Sequence, residues 1–312
     1  MNHTEIMGPG VQIVCFAASY LIALTLEITG LWTRTAWRRP LVIGITLAGL
    51  VAHTWYLGRR VGAAPTAPLA SQYDWFLAAA WLVVVVTLIL WFYIPRSPAG
   101  IFLLAVVLAL IGVSKFASTT PLASFQAPRF WGMVHAVCLM LGTVVVICGF
   151  LAGIMYLWQS YRLKNKLPPG DRFRLPSLEW LERVNSRALG ISTLLVGVGF
   201  ITGVLGRLVH GGDQAFVPWT DPVVLSLAAM FGWLMVAEIF RLVYPAARQG
   251  RKVAYLTLAA FVFLLITLAS VTLLDQVVHP GLGTATKGAT GKEIGLPSHL
   301  AQKLAERPGR SS

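Results

Sequence analysis

Four of the six histidines in this 312-residue chain, His53, His135, His210 and His279, fall in or beside long apolar runs. Imidazole is the commonest protein ligand for metals and a common axial ligand for heme iron. Histidines gathered at one depth of an apolar chain therefore point to a metal or heme site opening to one side. Two imidazoles from opposite sides of a flat apolar slot would hold heme iron. Three or four ligands, with Asp74, Asp213, Asp221 and Asp275 among the options, would suit zinc. The elements that carry these residues decide which can meet.

The chain is 56% hydrophobic and 12% charged. That is too apolar for a soluble domain of this length. A net charge of +13 raises the question of nucleic acid. Most of the basic residues sit in short loops between apolar runs, however, which is the positive-inside pattern of a membrane protein. Cys15, Cys138 and Cys148 all lie within apolar runs, with no CxxC or CxxCH. A disulfide, thioredoxin-like chemistry and covalent heme attachment are unsupported. The N-terminus carries Glu5 rather than a basic region, so no cleavable signal peptide is expected.

Eight apolar segments approach the length needed to cross about 30 Å of hydrocarbon. They lie near 11–31, 40–57, 73–94, 98–114, 131–158, 188–209, 222–244 and 253–278. The expected fold is an all-α, polytopic helical bundle occupying residues 1–280, followed by a polar external tail over 281–312. The links after the odd-numbered spans carry fifteen lysines and arginines, against five on the other side. The first set is expected in the cytoplasm of a bacterium, which leaves both termini outside its inner membrane. Residues 177–187 (SLEWLERVNSR) present Leu178, Leu181 and Val184 on one face. They are expected to form a separate cytoplasmic amphipathic helix lying in the interface.

Placed on these spans, the four histidines share a depth near the outer surface. His53 lies six residues before Arg59, about 9 Å below that end at about 1.5 Å per residue. His135 sits one to two turns into the fifth span, His210 follows the sixth, and His279 closes the eighth. Each has a plainer reading. His210, in HGGD, suits a solvated loop, His279 an interfacial position, and His53 a hydrogen bond to a neighbouring helix. An ionisable His135 inside a span is costly to keep without a function. Trp55, Tyr73, Trp131 and Trp219 suit either a cofactor slot or an aromatic belt. Arg59, Arg60, Arg129 and Arg207 suit heme propionates or lipid headgroups equally. Glu27 and Glu238 are the clearest acids within spans, both towards the cytoplasmic end. No acid–base chain crosses the midplane, as a proton-coupled carrier would require. No span holds two histidines, as a diheme electron-transfer core would.

Several stretches, in order, resemble the cytochrome c assembly family of heme-handling membrane proteins (the CcsA, CcmC and HemX-like group). Residues 130–166 begin near His135 and end in Tyr156, Leu157, Gln159, Leu163, Lys164 and Lys166. LPSLEWLERVNSR then precedes a Gly-rich span, PWTDP occupies 218–222, Gly250–Ala254 opens the last span, and His279-Pro280-Gly281 closes it. His53-Thr54 and the Ser71, Asp74 and Trp81 region resemble the family's front half, so the resemblance covers about 40–281. It implies that His135 and His279 are axial ligands of heme b, and that Trp219, Asp221 and Pro222 close a tryptophan-rich loop against it. His53 would be an accessory contact. The full WGxWWxWD-type signature is absent, as is the histidine some members carry in the seventh span. The divergent HemX-like branch shares that departure.

The expected function is heme binding at the outer face in c-type cytochrome biogenesis. Heme would be held and presented to other maturation proteins, and through them to apocytochrome c. No nucleophile–base constellation points to an enzyme. Two alternatives stand: a scaffolding or regulatory protein of the same fold without heme, and a metal or solute transporter using the outer histidines.

Overall fold

The structure, a computed structural model, describes residues 12–32, 37–63, 71–94, 98–119, 129–166, 175–210, 219–244 and 250–278. Within those helices the side chains at 129–130, 209–210 and 271–278 are not described. The chain divides into two compact units, 1–272 and 273–312, and every contact below lies in the first.

Each expected apolar segment becomes a helix: α1 (Ile13–Thr29), α2 (Arg38–Ala63), α3 (Gln72–Tyr93), α4 (Ala99–Ser114), α5 (Arg129–Lys164), α6 (Leu178–His210), α7 (Pro222–Val243) and α8 (Arg251–Val278). The described residues contain no strand. Helices are what lipid permits, because every backbone polar group must find its partner within the segment. Six of the eight are long and apolar enough to cross a bilayer, while α1 and α4 are shorter apolar helices of 17 and 16 residues. The protein is an all-α polytopic membrane protein.

Helices α1 to α4 close into a ring in which α1 packs on α2 and α4, and α3 on α2 and α4. Its interior buries Phe16, Tyr20, Leu77, Val83, Val84, Leu104 and Val107. The ring joins the second half where α3 and α4 meet α5. There α5 and α6 pair along their length, α7 packs on α6, and α8 stacks Phe261 on Phe150 of α5 at 3.7 Å.

Named contacts show that neighbouring helices alternate in direction. At one end, Arg39 of α2 bonds Glu27 of α1 at 3.5 Å and the Trp91 carbonyl of α3 at 3.3 Å. At the same end Ala99, Met155, Tyr156, Leu181 and Ala254 are buried together. At the other end α3 begins with Ser71 as N-cap, accepting from Asp74 N at 3.2 Å. Arg60 of α2 pairs there with Asp74, whose carboxylate also accepts from Ser71 Oγ at 2.7 Å. Tyr56 and Tyr73 share a hydroxyl hydrogen bond of 2.7 Å between α2 and α3.

One expected boundary changes. Residues 178–187 are not a separate interfacial helix; they are the first turns of a continuous 33-residue α6. Leu181 is fully buried and Asn185 is 1% exposed, so the amphipathic face packs on protein rather than on lipid. Asn185 turns its amide nitrogen to Thr257 Oγ1 at 2.8 Å and the Gly149 carbonyl at 3.0 Å, and its oxygen to Ala254 N at 3.1 Å. That last bond ties α6 to the first turn of α8. With α5 at 36 residues, or about 54 Å at about 1.5 Å per residue, both helices extend beyond about 30 Å of hydrocarbon.

The Arg60–Asp74 pair is largely sheltered, at 21% and 7% side-chain exposure. Arg60→Met leaves a buried carboxylate without its cation and is expected to cost about 3 kcal/mol. The thermal midpoint of the detergent-solubilised protein should fall, and Arg60→Met/Asp74→Leu should recover part of the loss. A single variant as stable as the parent would contradict this.

Candidate functional site

His135 lies near the start of α5, and α6 determines how it is held. Its Nδ1 is 2.6 Å from the carbonyl oxygen of Gly199. A carbonyl only accepts, so Nδ1 carries the hydrogen and Nε2 carries the lone pair. A hydrogen bond of this kind orients a liganding histidine and raises its basicity. The ring also lies against Gly203, where an added Cβ would come within 2.9 Å of both Cε1 and Nδ1. Gly199 and Gly203 form a GxxxG pair, the small-residue spacing that lets membrane helices approach closely. Further along the crossing Gly199 faces Leu139 and Gly142 faces Val196, where a Cβ would meet the side chain at 2.6 and 2.8 Å. Each step forward on α5 is matched by a step back on α6, so His135 is positioned by the whole antiparallel pair.

One turn further along α6 from Gly203, the Arg207 guanidinium lies 4.2 Å from the ring centre of Trp219. That turn advances about 6 Å along the axis, so imidazole, cation and indole follow one stripe of α6. Trp219 remains 48% exposed. Asp221 has a different role: its carboxylate accepts from Val223 N at 2.7 Å and caps α7, with Pro222 in the first turn. This is the favoured helix start, an acceptor at the N-cap followed by proline. Asp221 therefore positions Trp219 at the mouth of α7.

His53 belongs to a different environment. It is fully buried in the four-helix ring, stacked on Phe16 with ring centres 4.1 Å apart, and its Nδ1 is 3.3 Å from Tyr20 Oη. Its Nε2 has no hydrogen-bond partner among the described residues. His53 is held by α1, whereas His135 is held by α6. Neighbouring Thr54 accepts from Trp81 Nε1 at 2.8 Å, a tie between α2 and α3. His279 lies outside the described residues, and the side chain of His210 is not described. Among the described residues no three His, Cys, Asp or Glu side chains converge as a metal site.

The profile of the family described as "Cytochrome C assembly protein" matches residues 69–279, more than half of the chain. The chain belongs to the cytochrome c assembly protein family. No curated protein matches it. Membership places this membrane protein in c-type cytochrome biogenesis, within a family that handles heme. The match starts at residue 69, later than the residue 40 expected from sequence, so α1, α2 and His53-Thr54 lie outside it. Residues 69–279 contain His135, the glycines of α6, Arg207, Trp219 and Asp221.

Sequence reading named His135, Arg207, Trp219 and Asp221 but did not single out the α6 groups against which His135 lies. Gly199, Thr202 and Gly203 read as an undistinguished Gly-rich span, although their i, i+4 glycine spacing was visible. Asn185 was missed because it sits within an amphipathic pattern. Arg241, beside the place of the absent seventh-span histidine, pairs with Glu238 and donates to Ser186 Oγ at 2.7 Å.

Asp221→Ala should lower stability by about 1 kcal/mol through loss of the cap. Asp221→Asn should retain most of it, because the amide oxygen still accepts from Val223 N. Chemical-denaturation midpoints would check the order, and equal losses in both variants would sink the capping role.

Proposed function

We propose that the protein binds heme b at the outer face of the bacterial inner membrane and presents it to partners in c-type cytochrome maturation. The observation that carries this reading is the Nδ1–H bond from His135 to the Gly199 carbonyl, which puts the ring's lone pair on Nε2, the nitrogen that would ligate iron. The donor set fits the cargo: imidazole for iron, the Trp219 indole for an apolar face, and Arg207 for a propionate. Heme, when bound, would supply the iron and two carboxylates to be neutralised. His135 would be one ligand to that iron, and His279 would be the other on the strength of the sequence resemblance. Arg207, stacked on Trp219, keeps its charge at the mouth of the site, and Asp221 holds α7 in place beneath it.

The chemistry asked of these side chains is holding and orienting rather than bond-making, so the reading is a heme handler and not an enzyme. The bias of basic residues towards the links after the odd-numbered spans supports placing the His135 end outside, with both termini on that side. A HemX-like scaffold without heme is the second reading. It is favoured by one observation: a face of Trp219 is already covered by Arg207. The outer carboxylates give zinc transport little support, since Asp74 is engaged by Arg60 and Ser71, and Asp221 by Val223 N.

The test is an absorption spectrum of the purified protein from heme-replete cells, oxidised and dithionite-reduced. A Soret band with sharp reduced α and β bands is expected for the parent, lost in His135→Ala/His279→Ala and retained in His53→Ala. Intact parent protein without heme would favour the scaffold reading. A spectrum unchanged in the double variant would overturn the ligand assignment.

A further inference from the structure

We propose that Gly203 is a positioning residue for His135: the missing Cβ seats the imidazole on α6 and thereby selects Nε2 as the liganding nitrogen. This rests on the heme reading for its ligand, but the geometry concerns the chain alone. A Cβ at Gly203 would stand 2.9 Å from Cε1 and from Nδ1 of His135. Both atoms belong to one rigid ring, so neither can move aside without carrying the other. Moving the ring stretches the 2.6 Å bond from Nδ1 to the Gly199 carbonyl. Thr202 Oγ1, 2.8 Å from the Val198 carbonyl, also lies 2.9 Å from that of Gly199 and can turn its one hydrogen to either. The Gly199 carbonyl therefore has a side-chain donor within reach when the imidazole is displaced, and the cost falls on the histidine. Without the carbonyl to hold the hydrogen on Nδ1, the two neutral tautomers approach each other in energy. Rings carrying the hydrogen on Nε2, the nitrogen that should bind iron, then become populated.

The experiment uses the full chain in detergent, free of heme, with ring-15N histidine, and assigns His135 by difference from His135→Gln. The parent should show the Nδ1–H tautomer, and Gly203→Ala a mixture. Gly142→Ala crowds the same helix crossing, 2.8 Å from Val196, away from His135. It should keep the parental signature at a comparable thermal midpoint. Thr202→Val leaves the Gly203 gap intact and should also keep it. Hemin titration should show roughly 10-fold or greater weakening in Gly203→Ala, the range for losing an outer-shell partner.

An Nε2–H tautomer in the parent would overturn the proposal, and that measurement stands even if Gly203→Ala does not fold. Scrambling in Thr202→Val or Gly142→Ala equal to that in Gly203→Ala would overturn it as well. The parental tautomer retained in folded Gly203→Ala would do the same. If the tautomers behave as expected but the parent takes up no hemin, the heme reading fails and the positioning role of Gly203 stands.

Discussion

The close approach of α5 to α6 is the constraint on which the second half depends. In lipid the hydrophobic effect gives helices little reason to prefer one another over acyl chains, so association relies on packing and interhelical hydrogen bonds. Glycine supplies the packing here, because van der Waals attraction needs atoms in contact. A Cβ at Gly142 or Gly199 would overlap the facing side chain of the partner helix. Towards the basic end the same helices meet at Gly149 and Ala188, and there Asn185 ties α5, α6 and α8 together. His135 sits on the stretch of this crossing away from the basic end. Its environment is set by backbone atoms of a neighbouring helix, which move less than a loop would. For a residue proposed to offer one particular nitrogen, this rigidity would be more useful than exposure.

The charged groups within the spans have a different logic from the one their rarity suggests. An intramembrane acid is by default a functional candidate, and Glu27, Asp74 and Glu238 all qualify from sequence. Each is paired with an arginine: Arg39, Arg60 and Arg241 respectively. Each arginine also reaches a further group, Trp91 for Arg39, Tyr73 for Arg60 and Ser186 for Arg241. Such pairs contribute less to net stability than they cost to break, since desolvation offsets much of the attraction. Their value lies in register. A guanidinium bridging two or three helices fixes which turns face each other, a choice apolar packing leaves nearly degenerate. Glu27 and Glu238 lie at the basic end and Asp74 at the opposite end, so they do not assemble a path across the midplane.

Legibility followed the physics of each feature. Helix positions were readable because apolar length is the membrane's own criterion: every expected segment but one starts within two residues of the observed helix, although α2 and α5 run six residues past their expected ends. The exception, the start of α6, shows the limit. Residues 177–187 carry the amphipathic pattern of an interfacial helix, and the same pattern serves a helix half-covered by protein. What lies against the apolar face is tertiary information. His53 shows a second limit. Sequence depth put it level with His135, but depth leaves rotation about the helix open, and His53 faces Phe16 and Tyr20. Asp221 was read from the company it keeps in a motif, while its geometry is that of a helix cap.

The two imidazoles that share a depth therefore belong to two packing systems, and the family boundary runs between them. His135 lies within residues 69–279 and His53 does not. His53 is built into an aromatic interior with Phe16, Tyr20 and Tyr56, next to the Tyr56–Tyr73 and Arg60–Asp74 ties that close α2 on α3. Its unpaired Nε2 is a cost of about 1–3 kcal/mol that the surrounding contacts must offset. His135 is half-buried with a carbonyl partner on Nδ1, an arrangement that would prepare it in advance for a ligand. Preparation of this sort lowers the entropy lost on binding, and it is achieved by leaving atoms out. The side chain missing at Gly203 shapes the seat of His135 as directly as any side chain present.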